Sequence, residues 1–126
     1  MCILIKPLLD IAISNIQEDH NGRFIKIVFE IEETKIALIN IYAPNNPAER
    51  KMFFQNIELL VNRCKVIDKC NEVIIGGDFN CTFNPSIDRR NGKDENVKAK
   101  DLGYNELLNL TVKHDLEDVW RRRNPK

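Results

Sequence analysis

An aspartate and an asparagine directly follow a short apolar segment of this chain and could together support hydrolysis. The segment is Val73-Ile74-Ile75, and Asp78 and Asn80 come after the two glycines that end it. Side chains two positions apart on extended backbone point to one side, so this spacing predicts that carboxylate and carboxamide converge. The carboxylate could accept a proton from water or hold a cation, while the amide orients the nucleophile. A turn in which both side chains cap their own backbone explains the same residues equally well.

A second polar group ends another apolar segment at Tyr42-Ala43-Pro44-Asn45. The phenol of Tyr42 and the amide of Asn45 could both donate hydrogen bonds to a phosphate oxygen. The competing interpretation is a core aromatic residue with its hydroxyl at the surface, followed by a proline that ends the strand. For this segment alone, the structural interpretation is the stronger one.

The spacing of apolar residues predicts the elements that must position these groups. Residues 24–31 alternate between apolar and polar and residues 34–42 are rich in apolar side chains, which together predict a β-hairpin. A helix is predicted from Pro47 to about Asn71, with Asn46 as its N-cap. Its expected buried face consists of Phe53, Ile57, Leu60, Cys64 and Ile67. The apolar run of residues 73–75 is typical of a strand covered on both faces.

The remainder of the chain predicts a polar connection and further helical structure. Residues 81–100 contain many loop-forming residues, and a second helix is expected from Asp101 to about Lys113. Its predicted buried residues are Tyr104, Leu107, Leu108 and Val112. Another apolar element is expected to begin near Leu116. Alternating strands and helices predict an α/β fold, in which ligands bind beyond the carboxyl ends of the strands.

Composition and charge restrict the classes of function. The 126 residues suffice for one domain, and 19 basic and 19 acidic side chains give a formal net charge of zero. Nonspecific nucleic-acid binding usually requires a basic protein, so any such contact must come from local patches such as Arg89-Arg90 or residues 121–123. The four cysteines lack zinc-site spacing and are expected to be reduced and buried in an intracellular protein, with the nucleus as a candidate compartment. No segment is apolar enough to predict a signal peptide or a membrane span.

Taken together, the motifs resemble the endonuclease/exonuclease/phosphatase superfamily, and in particular the endonuclease domain of LINE-type non-LTR retrotransposons. The matching segments, in chain order, are Asn40-Ile41-Tyr42-Ala43-Pro44-Asn45, Gly76-Gly77-Asp78-Phe79-Asn80, Asn84-Pro85-Ser86-Ile87-Asp88-Arg89 and Asp115-Leu116-Glu117-Asp118-Val119-Trp120-Arg121. The resemblance extends from about Gly22 to the last residue. It implies a DNase I-like fold, a two-layer β-sandwich flanked by helices, of which residues 1–126 form a part truncated at both ends.

The resemblance also implies Mg²⁺-dependent hydrolysis of a phosphodiester, with DNA as the partner. Carried over by position, Asp78 activates the attacking water, and Asp78 with Asn80 is expected to contact the metal ion. Tyr42 is expected to stabilise charge on the scissile phosphate, with Asn45 supporting the same site. Arg89 and Arg90 are candidates for contacting nucleic acid, although a solvated loop explains them equally well.

Other residues that the superfamily requires have no counterpart in this sequence. A metal-binding glutamate on an early strand and a late Ser-Asp-His segment are both missing. Glu18 has similar neighbours, but it stands on a predicted turn too close to Tyr42, and we do not assign it to the metal. We therefore expect a partial domain with an incomplete Mg²⁺ site and little or no activity as an isolated chain. A non-catalytic remnant or binding module, and a phosphatase or RNA-directed nuclease of the same superfamily, are the alternatives.

Overall fold

A four-stranded mixed sheet forms the framework of the first half of the chain. In this computed structural model the strands are β1 (Ala12–Glu18), β2 (Phe24–Ile31), β3 (Thr34–Tyr42) and β4 (Glu72–Asp78), in the spatial order β1-β2-β3-β4. Neighbouring strands are antiparallel except for β3 and β4, which are parallel. The helices are α1 (Pro47–Val66), α2 (Tyr104–His114) and α3 (Val119–Arg123). The structure describes residues 1–83 and 103–125, and these elements confirm the α/β class.

The chain divides into two units. Residues 1–43 and 59–79 form the first unit, which contains the whole sheet and the second half of α1. Residues 44–58 and 80–126 form the second unit, which contains the first half of α1 together with α2 and α3. Within the described residues, no helix combines the length and the apolar character that a membrane crossing requires.

The predicted hairpin is confirmed by the pairing of β2 with β3. Its cross-strand pairs run from Phe24 and Ile41 at the open end to Ile31 and Thr34 beside the turn. The turn consists of Glu32 and Glu33, both of which have positive φ. Positive φ at both central residues is the feature of the type I′ turn, whose twist matches that of the flanking strands. The hairpin therefore adopts this geometry without the asparagine and glycine that usually supply it.

The sequence pattern does not predict strand β1, and the expectation that Glu18 stands on a turn is wrong. The strand continues to Glu18, and the turn begins only at Asp19, whose carbonyl accepts a hydrogen bond from the amide of Gly22 at 2.9 Å. Almost every residue of β1 is exposed, and its pairing with β2 is irregular between Ile13 and Asn15. Backbone pairing rather than burial defines β1, so the alternating pattern that indicates a half-buried strand is missing.

The two faces of the sheet differ in burial. One face is buried and consists of Lys26, Val28, Ala37, Ile39 and Ile41. The opposite face, which we call the open face, contains the cross-strand row Ile16, Ile27, Leu38 and Ile74. Ile16 is 66% exposed and Ile74 is 51% exposed, although Ile27 is buried. The prediction that residues 73–75 are covered on both faces is therefore wrong, because β4 is an outer strand in the described sheet with one face open.

Helix α1 begins as predicted but ends earlier than the sequence indicated. The Asn46 side chain accepts hydrogen bonds from the backbone amides of Ala48 at 2.9 Å and Glu49 at 3.2 Å, which confirms the N-cap. The last helical residue is Val66, and Ile67 is 65% exposed rather than buried. Lys69 has a φ of 56°, a left-handed conformation that ends helices. The helical spacing of apolar residues continues past Val66, but the helical conformation of the backbone does not.

The buried residues of the second unit also differ in part from the prediction. Helix α2 buries Leu107, Leu110 and His114, whereas Leu108 is 39% exposed and Val112 is 74% exposed. The Nε2 atom of His114 lies 3.6 Å from a carboxylate oxygen of Glu58, which also accepts a hydrogen bond from Lys113 at 2.6 Å. This hydrogen bond from Lys113 is the main cause that lowers the pKa of Glu58. His114 is the last residue of the helix and is buried.

The cysteines conform in part to the expectation of reduced, buried thiols. All four are free; Cys64 and Cys70 are buried, whereas Cys2 is exposed. Burial raises the pKa of the Cys64 thiol to about 11 and also raises that of Cys70. A raised thiol pKa lowers the thiolate fraction at neutral pH, so both groups are poor nucleophiles and act as small apolar residues.

A buried ion pair stands on the covered face of the sheet. The ammonium group of Lys26 in β2 lies 2.9 Å from the Asp68 carboxylate, and the two side chains are 1% and 13% exposed. Asp68 directly follows α1, so the pair connects the sheet to the end of that helix. Because a buried charge loses its hydration, the ammonium depends on this carboxylate for compensation.

We predict that Asp68→Ala lowers the free energy of unfolding by about 3 kcal/mol, because it leaves the Lys26 ammonium buried without its partner. Adding Lys26→Met to that variant should restore most of the loss, since it removes the uncompensated charge and keeps the aliphatic stem. Urea unfolding of the wild type, the single variant and the double variant measures both effects. A small loss in Asp68→Ala, with no recovery in the double variant, would contradict the assignment of this pair as buried and coupled.

Candidate functional site

The parallel strands β3 and β4 end at the same edge of the sheet and bring two of the predicted residues together. Tyr42 and Asp78 are the last register partners of the two strands. The amide of Ala43 donates a hydrogen bond to the carbonyl of Asp78 at 2.8 Å, which extends the pairing beyond the strands. Paired strands lie about 4.8 Å apart and register partners share a face, so the phenol and the carboxylate project side by side from the open face.

This close pairing depends on the absence of a side chain at Gly77. Its φ is +127°, and an added Cβ atom would lie 2.0 Å from the carbonyl oxygen of Ile41 in the neighbouring strand. By contrast, a Cβ atom added to Gly76 would have no atom within 4 Å. The two adjacent glycines therefore have different roles: Gly77 allows the strands to approach, and Gly76 leaves open space on the face where Tyr42 and Asp78 project.

Asn40 lies beside that open space. It is the register partner of Gly76, one cross-strand row before Tyr42 and Asp78. Its side-chain amide donates a hydrogen bond to the carbonyl of Cys2 at 3.2 Å. The motif predicts no separate role for Asn40. Its position one cross-strand row from Tyr42 and Asp78 follows only from the register of β3 with β4.

An arginine outside the predicted site residues lies against Tyr42. The guanidinium carbon of Arg23 is 5.2 Å from the centroid of the Tyr42 ring, a distance typical of a cation–π contact. Tyr42 is 43% exposed, so the predicted core-aromatic alternative does not describe it. The hairpin register could have identified Arg23, because Phe24 pairs with Ile41 and the next pair outward is Arg23 with Tyr42.

The other two predicted catalytic residues, Asn45 and Asn80, belong to the second unit. The loop that carries Asn45 is held by Arg50, whose guanidinium donates hydrogen bonds to the carbonyls of Pro44 at 3.3 Å and Asn45 at 3.1 Å. Arg50 is only 5% exposed and was not selected from the sequence. Asn80 has a φ of 47°, so the extended geometry predicted from Asp78 to Asn80 is wrong, because β4 ends at Asp78.

The metal-ligand set of the described residues is incomplete. Within residues 1–83 and 103–125, no group of three or more histidine, cysteine, aspartate or glutamate side chains could hold a metal ion. Glu18 ends β1, which β2 and β3 separate from β4. At about 4.8 Å per strand, its backbone lies roughly 14 Å from that of Asp78, too far for the two carboxylates to share one ion. A single carboxylate does not make a Mg²⁺ site.

The structure describes only some of the basic residues predicted to contact nucleic acid. Arg89 and Arg90 lie outside the described residues. In the C-terminal triplet, Arg122 pairs with Glu117, and Asp118 caps α3 by accepting a hydrogen bond from the amide of Arg121 at 2.9 Å. Arg122 and Arg123 are exposed, in agreement with a solvated helix. These contacts of Arg121 and Arg122 are with residues that directly precede α3.

The chemistry available at this edge of the sheet is oxyanion recognition beside a carboxylate. The Tyr42 hydroxyl can donate a hydrogen bond to a phosphoryl oxygen, and the adjacent Arg23 carries a fixed positive charge. The Asp78 carboxylate is exposed and can accept a proton from water. This combination fits a phosphate ester better than a neutral substrate, because the guanidinium would lie beside the phosphate charge.

Comparison with known proteins relates this chain to a transposon-encoded protein. It is 37% identical over 90 residues to the transposon TX1 uncharacterized 149 kDa protein of Xenopus laevis. The match covers 71% of this chain but only 6% of that protein. No family model matches the chain.

The contrast between the two glycines gives a direct test of the site geometry. We predict that Gly77→Ala lowers the free energy of unfolding by about 2–4 kcal/mol, because its Cβ atom would collide with the Ile41 carbonyl on a backbone that is already strained for an L-residue. Gly76→Ala should change stability by less than about 1 kcal/mol, because its Cβ atom enters open space. Equal losses in the two variants, measured by urea unfolding, would contradict this pairing of β3 with β4.

Proposed function

We propose that this chain is part of a Mg²⁺-dependent phosphodiester hydrolase of the endonuclease/exonuclease/phosphatase superfamily, specifically a retrotransposon-type DNA endonuclease. The observation that carries the proposal is the pairing of Tyr42 with Asp78 at the carboxyl edge of a parallel strand pair. In α/β sheets this edge is where catalytic side chains gather, because the loops that follow the strands are free to carry polar groups.

In this proposal each group acts through its own chemistry. Asp78 accepts a proton from the attacking water, and Tyr42 donates a hydrogen bond that stabilises charge on the phosphate. By the resemblance, Asn80 would orient the phosphate or the nucleophile, Asn45 would support it by hydrogen bonding, and Arg89 and Arg90 would contact the DNA. Mg²⁺ would neutralise phosphate charge, but its assigned ligands, Asp78 and Asn80, include only one carboxylate. A complete site needs a further acidic ligand, so we expect at most weak activity from these 126 residues.

Two further observations support the proposal. The similarity to a transposon-encoded protein agrees with a retrotransposon origin. The open face presents the apolar row Ile16, Ile27, Leu38 and Ile74, which is the kind of surface that one layer of a β-sandwich presents to the other. In the part of the chain that the structure describes, Ile16 and Ile74 of this row are 66% and 51% exposed, and exposed apolar side chains on a sheet face favour a second layer, as in a DNase I-like sandwich.

A non-catalytic binding module is the second candidate function. The observation that favours it is the missing second carboxylate beside Asp78 among the described residues. Such a module would retain the phosphate contacts of Tyr42 without hydrolysis. The two candidates therefore share a phosphate-binding surface and differ in turnover.

We predict that Asp78→Asn increases the affinity for duplex DNA about fivefold in buffer that contains EDTA. The substitution removes a negative charge that faces the phosphate, and one such repulsion at short range in water is about 1 kcal/mol. Glu30→Gln is the matched control, because Glu30 is exposed near the opposite end of β2 and loses the same charge. Fluorescence anisotropy with a labelled duplex measures the dissociation constants of the wild type and both variants.

Equal affinities for the wild type and Asp78→Asn would contradict the placement of Asp78 at a phosphate site. Plasmid nicking in Mg²⁺ then separates the two candidates. Nicking that Asp78→Ala abolishes and Glu30→Gln retains would establish the endonuclease and show that the metal site is complete. DNA binding without nicking is the expected result for these residues.

A further inference from the structure

We propose that Arg23 is a phosphate-binding residue of this site, which holds a phosphodiester oxygen against the phenol of Tyr42. This inference rests on the proposed function and adds the cation that the site requires. The chain has no net charge, so general electrostatic attraction cannot supply its affinity for an anion. A local cation near Tyr42 and Asp78 can do so.

The backbone places Arg23 in the same cross-strand row as those two residues. The amide of Tyr42 donates a hydrogen bond to the carbonyl of Arg23 at 2.8 Å, which continues the β2–β3 ladder past its last strand pair. Arg23, Tyr42 and Asp78 therefore follow one another across the ends of β2, β3 and β4. With about 4.8 Å between strands, the span from Arg23 to Asp78 is roughly 10 Å, with Tyr42 in the middle.

The turn before β2 fixes the position of Arg23. Its amide donates a hydrogen bond to the Asp19 carboxylate at 3.2 Å, and the turn closes through the 2.9 Å hydrogen bond from Gly22 to the Asp19 carbonyl. Gly22 has a φ of +66°, which glycine adopts without strain. The guanidinium then lies over the Tyr42 ring at 5.2 Å. A cation that is fixed before binding loses less conformational freedom when a ligand arrives.

Charge placement distinguishes Arg23 from the basic residues of the strands. The sheet strands carry only two basic residues, Lys26 and Lys35. Lys26 is buried on the covered face and paired with Asp68, and Lys35 stands near the start of β3, at the opposite end from Tyr42. In the described part of the chain, no carboxylate forms an ion pair with the Arg23 guanidinium. Its planar N–H groups can therefore bind two phosphate oxygens while one face contacts the Tyr42 ring.

Duplex DNA binding as a function of salt tests this role through the number of phosphate contacts. We expect Arg23→Gln to weaken binding roughly tenfold and to reduce the slope of log K against log salt by about 0.9, the value for one lost phosphate contact. Arg23→Lys should retain the slope, because it keeps a positive charge, while binding more weakly than arginine. Arg63→Gln is the matched control, because Arg63 is an exposed residue of the last turn of α1, and its slope should equal that of the wild type.

A second measurement separates failure of this inference from failure of the proposed function. Inorganic phosphate is added at constant ionic strength while the side-chain Nε–Hε signal of Arg23 is followed by NMR, with chloride as the reference anion. A phosphate-dependent shift without DNA binding would support the phosphate site and overturn the DNA proposal. DNA binding whose salt slope is unchanged in Arg23→Gln would overturn the role of Arg23 and leave the proposed function standing. A purely structural arginine would change the thermal midpoint without changing the slope.

Discussion

The parallel pairing of β3 with β4 is the constraint on which the site depends. It is fixed at both ends by backbone contacts. At the start, Asn71 exchanges two hydrogen bonds with the backbone of Lys35, one through its amide at 2.8 Å and one through its side-chain oxygen at 2.9 Å. At the end, Gly77 allows the backbone of β4 to approach Ile41. A slip by one residue would turn Asp78 to the covered face and separate it from Tyr42.

The sheet that results from this pairing is strongly asymmetric. Its covered face includes a buried ion pair between Lys26 and Asp68, and charge on that face is tolerated because each group compensates the other. Its open face is apolar in the central row, and Asn40, Tyr42 and Asp78 project from it at one edge. The same strands therefore carry the candidate chemistry and an apolar surface of the kind that packs against a second layer.

The sequence predicted those elements whose signal is local. The β2–β3 hairpin, the N-cap at Asn46 and the strand before the glycines follow from alternation, capping and apolar runs. Predictions from the sequence were wrong where contacts between distant residues determine the structure. Strand β1 exists because β2 offers a partner, α1 ends at Val66 although the apolar spacing continues, and α2 turns Leu110 and His114 inward rather than Leu108 and Val112.

The same distinction applies to the candidate site. Tyr42 and Asp78 were selected from their positions at strand ends, and their adjacency follows from the parallel order of β3 and β4. Arg23 and Arg50 have no sequence signal of their own, since an arginine after a turn or in the first turn of a helix is common on protein surfaces. Their contacts with Tyr42 and with the carbonyl groups of Pro44 and Asn45 depend on register and on chain reversal, which single-residue patterns do not encode.

The central claim is that the register of β3 with β4 sets Tyr42 beside Asp78. The most direct measurement is an NMR experiment that detects scalar coupling across hydrogen bonds, between an amide nitrogen and the carbonyl carbon that accepts its proton. We expect a correlation between the nitrogen of Ala43 and the carbonyl carbon of Asp78, with slow exchange of that amide proton. A correlation of Ala43 with the carbonyl of Gly77 or Phe79 instead would show a shifted register and would contradict the account.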